Sequence, residues 1–235
     1  ITTILPEGMT ASYAPGVTYN GINYSPAGTA NLAVNYDFGH TAVVKVNGYD
    51  VVGVEGTFPF TIDPAKAEAY EVTVTVGDYN IAGDGTHDNP YLIRNKADWD
   101  YMVNYLNAGL SSNDYSGVYF KLTAEDITIN QRMGTNDHPF CGIFDGDGHT
   151  LTLAFGTSEN YSDKECAPFY SLKNAIIKNL VIDGSIYSSA QHNASLAVTV
   201  KGQNNYIQNC VSSVSIYSNR SGSGDDGDCT NGGFI

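Results

Sequence analysis

Positive charge is scarce in this chain. Lys and Arg total 11 against 25 Asp and Glu, for a net charge of −14. A phosphate backbone would be repelled over most of such a surface, so nucleic acid is excluded as an expected partner, and an anionic membrane surface is disfavoured for the same reason. Charge of either sign is sparse as well, at 15% of residues against about 25% in an ordinary domain. No apolar run approaches the roughly 18 residues needed to span a bilayer, so no membrane insertion is expected within this fragment. No two of the four cysteines, Cys141, Cys166, Cys210 and Cys229, are spaced as CxxC, which argues against a zinc site. No serine stands in a GxSxG context and no acidic run has the ligand spacing of an EF-hand loop, so no catalytic residue is assigned. There is no initiator Met and no signal peptide; both ends read as trimmed, and targeting or anchoring signals are expected elsewhere.

What is present points to strands and turns. Hydrophobic residues make up 42% of the chain, which takes it out of the disordered class, and there are 17 tyrosines and 25 glycines. Thr41 to Val46 is β-branched and is followed by Asn47-Gly48, the strongest short hairpin signal. Asn31 to Tyr36, Thr57 to Ile62 and Glu71 to Val76 read as further strands, with Pro59 demoting Thr57 to Ile62 to an edge or bulged strand. Val72, Val74 and Val76 are expected on one face. Residues 1–77 are therefore predicted to form a small β-sandwich. The stretch resembles the immunoglobulin-like, internalin-B-type repeat modules of bacterial surface proteins, through Val46-Asn47-Gly48, the Gly56-Thr57-Phe58 turn and the closing run at 72–76. That resemblance implies a spacer or binding module without catalysis.

Beyond a glycine- and aspartate-rich loop at 78–90, one helix is predicted over 96–108. Asn95 is a suitable N-cap, Asp98 sits where the helix dipole favours an anion, Trp99, Met102, Val103 and Leu106 make one apolar stripe, and Gly109 is a stop. The helix is expected to cap the remainder of the chain, which is self-similar. His138-Pro139-Phe140 matches Ala167-Pro168-Phe169 at a separation of 29, and Ile177 to Ser188 matches Ile207 to Ser218 at 30. A period of 29–30 with short β-runs and no internal helix fits the rungs of a parallel β-helix over 78–235. Ile177 would then stack on Ile207, and Asn179 and Asn209 would form an amide ladder at a corner. The expected class is thus all-β: a small sandwich, then a parallel β-helix with one capping α-helix.

The second half resembles the GLUG-motif proteins of bacterial surfaces. The matching features are GDGTHDNPYLI at 83–93, the Trp99 helix, the strand at 119–123, Phe140 with Gly142, the Phe144 to Leu151 segment, Ile177 to Leu180 and the closing Gly232-Gly233-Phe234-Ile235. Leu196 to Val200 departs from the glycine-rich segment often found there. The resemblance implies a right-handed β-helix at the cell surface, hence an extracellular location, and implies no activity.

Several side chains invite chemistry. Asp145, Asp147 and His149, like Asp84, His87 and Asp88, read either as calcium or catalytic carboxylates or as tight turns, and the turn reading is adopted. Asp225, Asp226 and Asp228 in a glycine-rich loop are the candidate Ca²⁺ ligands; otherwise no cofactor is expected. Tyr187 and Tyr217 would lie on neighbouring rungs, either as structural side chains or as an aromatic platform for sugar rings, and are the candidate binding residues. Cys141 and Cys166 fall near one repeat apart and form a candidate disulfide, while Cys210 takes the core position of Leu180. Arg94, Arg132 and Arg220 are scattered, against the cationic cluster an acidic-polysaccharide lyase needs. The functional expectation is a non-catalytic, adhesin-like surface module whose partner is a glycan or a host surface protein. The alternative is a carbohydrate-active enzyme, a polysaccharide lyase or glycosidase.

Overall fold

The computed structural model describes residues 1–19, 22–66, 69–220 and 230–235. The chain is all-β, with one helix among the described residues, and divides into two compact units, Ile1–Asn80 and Ile81–Ile235.

The first unit holds two sheets and a hairpin. One sheet runs Thr2–Ile4, Glu71–Asp78, His40–Val46, Tyr49–Val51, and the other Ala11–Ala14, Gly28–Val34, Phe58–Ile62. The hairpin pairs Val17–Tyr19 with Ile22–Tyr24. Asn47 (φ 49°) and Gly48 (φ 83°) both take positive φ, the requirement of a type I′ turn whose twist matches the strands it joins. Asn47 also accepts the Glu71 amide on Oδ1 at 2.8 Å. Pro59 lies on the outer strand of its sheet, opposite Asn31, where its missing N–H interrupts no further ladder. Alternation turns Leu32, Val34, Phe60, Val44, Val72 and Val74 into one shared core. Val76, expected beside them, is 38% exposed.

The second unit is built from parallel ladders. Tyr91–Ile93, Tyr119–Leu122, Ile143–Asp145, Ile176–Lys178 and Tyr206–Gln208 pair in sequence order, each parallel to the one before. Asp126–Ile129, Thr150–Phe155 and Val181–Ser188 pair likewise, and Val211–Ser212 and Ser215–Ser218 both add to Val181–Ser188. Phe169–Lys173 pairs with Ala197–Lys201, and His192–Ala194 with Thr230–Gly232. Parallel neighbours need long crossovers, usually helical. Here the crossovers are the strands of the other ladders.

Like residues therefore stack. Phe120, Phe144 and Ile177 form one inward column, and Ile127, Leu151 and Ile182 another, all buried. Asn209 donates Nδ2 to Asn179 Oδ1 at 3.2 Å, so the expected amide ladder is present. The register differs from the 29-residue match: Phe140 bridges Leu172, Ile143 pairs with Ile176 and Leu151 with Ile182. The separation is not constant, and the corner after Ile143–Asp145 shortens it by two residues. Four residues separate Asp145 from Thr150, but two separate Lys178 from Val181.

The helix Lys96–Asn107 starts as expected, with Asn95 Oδ1 accepting the Asp98 amide at 3.0 Å. Asp98, 1% exposed, accepts from the Arg94 amide and guanidinium at 2.9–3.0 Å, so its buried charge is paired. Trp99, Met102, Val103 and Leu106 are fully buried. Trp99 meets Phe144 and Phe169 edge-on at 6.0 and 5.7 Å and donates Nε1 to the Gln131 carbonyl. Edge-to-face pairs of this kind add about 0.5–1.5 kcal/mol each beyond area burial.

Candidate ligand-binding face

The period-2 alternation that turns Phe120 and Leu122 inward turns Tyr119 and Lys121 outward. Parallel register repeats the choice on every strand of that ladder. One outer column reads Tyr119, Ile143, Ile176, Tyr206; its neighbour starts at Leu92 and continues Lys121, Asp145, Lys178, Gln208. An apolar stripe thus runs beside a polar one.

The polar column is closely ion-paired. Asp145 Oδ2 lies 3.0 Å from Lys178 Nζ, and Asp147 Oδ2 lies 2.9 Å from Lys121 Nζ. Asp145 Oδ1 accepts from the Asp147 amide at 3.0 Å and Asn179 Nδ2 at 2.9 Å. Partial burial pushes the Asp145 carboxyl up, but the bonds from Asn179, the Asp147 amide and Lys178, with the Lys178 charge, together outweigh it and hold the carboxyl below its usual range. A carboxylate kept ionised in this way suits an acceptor and ion-pair partner, not a proton donor. Asp147 takes φ 52° and Gly148 φ 83°, the left-handed conformations the turn reading requires.

At one end of the face is a concavity of about 290 Å³, lined by His87, Asp88, Tyr119, Lys121, Ile143, Asp145 and Lys178 among others. His87 stands at right angles to Tyr119 with ring centres 5.3 Å apart. Asp84, in the preceding loop, accepts from Thr86 Oγ1 at 2.7 Å and the Thr86 amide at 3.0 Å, and the side-chain bond is the main reason its carboxyl is lowered.

No protein-family model, no curated protein and no solved structure matches the chain.

Tyr187 and Tyr217 are brought together by the pairing of Val181–Ser188 with Ser215–Ser218. Their rings stack at 4.5 Å and 13°, with Tyr161 perpendicular to Tyr187 at 5.5 Å. The stack engages one face of each ring, and Tyr217 is 46% exposed. Asp225, Asp226 and Asp228 lie outside the described residues. Among the described residues no group of three or more His, Cys, Asp and Glu side chains is placed to hold a metal ion.

The expected Cys141–Cys166 disulfide is not made, since Cys141 is a thiol. Cys141 Sγ donates to the Pro139 carbonyl at 3.5 Å, Cys166 Sγ to the Lys164 carbonyl at 3.0 Å. With Phe140 beside Leu172 the two do not share a level; Cys166 instead takes Asn193 Oδ1 on its amide. Cys210 lies partly buried, its Sγ 3.3 Å from the Gln208 carbonyl, and burial raises its thiol.

One constellation escaped the sequence reading. The Arg132 guanidinium lies 4.5 Å over the Tyr170 ring and donates to the Glu165 carbonyl at 2.5 Å. Glu165 Oε1 and His192 Nδ1 are 2.5 Å apart, and Asn136 Nδ2 donates to the Tyr170 hydroxyl at 3.3 Å. Burial, reinforced by the Glu165 charge, raises the Tyr170 phenol. Nothing in the spacing of 132, 165, 170 and 192 signals this meeting, since corner lengths decide it.

Proposed function

We propose that the chain is a non-catalytic module of a bacterial cell surface, in which a small β-sandwich precedes the start of a right-handed parallel β-helix and the helix face binds an extended glycan or host ligand. Two sheets sharing one core support the sandwich. Ladders that add one parallel strand per pass of the chain support the helix. The matching segments at 83–93, 119–123 and 177–180 remain the ground for placing it among GLUG-motif surface proteins. The sparse Lys and Arg fit a partner that is neither nucleic acid nor anionic membrane.

The observation that carries the binding role is the pair of outer columns, Tyr119–Ile143–Ile176–Tyr206 beside Lys121–Asp145–Lys178–Gln208. Apolar and hydrogen-bonding stripes at the spacing of successive strands suit an elongated ligand with alternating C–H and hydroxyl surfaces. The Tyr187–Tyr217 stack offers a second aromatic surface. The test is a panel of neutral and acidic polysaccharides and host surface proteins, with and without Ca²⁺, scored for bound protein and for new reducing or unsaturated ends. Binding without new ends is expected; new ends contradict the reading.

One observation favours the second reading, a polysaccharide lyase or glycosidase. Arg132, Glu165, Tyr170 and His192 put a guanidinium, a carboxylate, a phenol and an imidazole within one cluster, groups that could neutralise an acidic sugar and move a proton.

A further inference from the structure

Building on the binding role above, we propose that the concavity at the start of the ladder face is a subsite for one uncharged sugar residue, gripped through a vicinal pair of hydroxyls. Its volume of about 290 Å³ lies at the small end of ligand sites, which start near about 300 Å³, so it suits a single ring of a longer chain. Lys178 Nζ and Asp145 Oδ2 stand 3.0 Å apart. Two neighbouring hydroxyls meet such a pair directly, one donating to the carboxylate while the other accepts from the ammonium, which has three protons to give.

Charge selects against an acidic sugar. Lys178 is neutralised by Asp145 at 3.0 Å and Lys121 by Asp147 at 2.9 Å, and Asp88, with His87 Nδ1 2.8 Å from its carboxylate, adds a further acidic group to the lining. A uronate or sulfate would find no surplus positive charge there, whereas hydroxyls find donors and acceptors side by side. Tyr119 and Ile143 begin the apolar column and offer a surface for the C–H face of the ring. His87, perpendicular to Tyr119, walls one side.

The test is calorimetric titration of the full chain with neutral gluco-, manno- and galacto-oligosaccharides and with oligouronates. Tyr119→Ala and Lys178→Met are compared with Lys66→Met, a charge-matched change at a side chain 83% exposed in the first unit. Lys178 is 36% exposed and outside the core, so its replacement leaves the fold intact, as urea midpoints will verify. A neutral oligosaccharide is expected to bind. Tyr119→Ala and Lys178→Met should each weaken it about tenfold or more, and Lys66→Met should leave it unchanged. Neutral-sugar binding untouched by the first two variants overturns this subsite and leaves the glycan-binding role standing. Binding confined to oligouronates overturns the ligand class. Silence towards every saccharide also overturns the subsite; the host-protein arm of the panel then decides whether the broader binding role falls with it.

Discussion

Gly184 and Gly148 both take positive φ, 96° and 83°, yet they are not equivalent. A Cβ on Gly184 would stand 2.3 Å from the Leu153 carbonyl oxygen and 2.7 Å from the Leu153 amide, the backbone of the neighbouring strand, whereas nothing lies within 4 Å of one on Gly148. Gly184→Ala is expected to lower stability by at least about 2 kcal/mol, because strain and a backbone clash add. Gly148→Ala should cost about 1 kcal/mol, the conformational term alone. Urea midpoints at constant m-value check both. Asp145 gives a pH signature. Its folded pKa lies below the ordinary value of about 3.9, so it favours the fold above that pH, and the benefit is lost as pH falls through the folded pKa. Asp145→Asn should lower stability at neutral pH and flatten the further loss below about pH 4; an unchanged acid limb would show that these bonds do not matter to the fold.

The helix Lys96–Asn107 is the element best specified by local sequence. Its stripe, its Asn95 cap and Gly109 (φ 71°) just past its end are all where the residues indicate. Asn95→Ala should cost about 1 kcal/mol by orphaning the Asp98 amide, and Asn95→Ser should restore most of it. Thermal unfolding of the pair separates capping from a general surface effect. The Asn47-Gly48 hairpin and the edge position of Pro59 were equally legible, because each rests on one residue's backbone chemistry. The strands within residues 1–24 were not, since they are three or four residues long and carry little alternation. Repeat matching found Ile177 beside Ile207 and Tyr187 beside Tyr217, where the corners are of equal length. It slipped between Phe140 and Leu172, where they are not. The same slip hid the Arg132, Glu165, Tyr170 and His192 cluster and suggested a disulfide that is not made.

Across the whole molecule, acidity and stacked outer columns point the same way. A surface with few cations discourages polyanions, and columns repeated strand after strand favour a ligand that is itself long and regular. The carboxylate at the centre of the polar column is held ionised by its neighbours, which suits holding a ligand better than donating a proton to it. The cluster around Tyr170 is the place where chemistry would occur if the chain were an enzyme. The most direct measurement is therefore product analysis of a bound polysaccharide after prolonged incubation with the full chain. Retention of the polysaccharide at unchanged length, with no new reducing or unsaturated ends, is the result expected of a binding module. Shortened chains whose formation is lost in Tyr170→Phe or His192→Ala would contradict it and make this an enzyme.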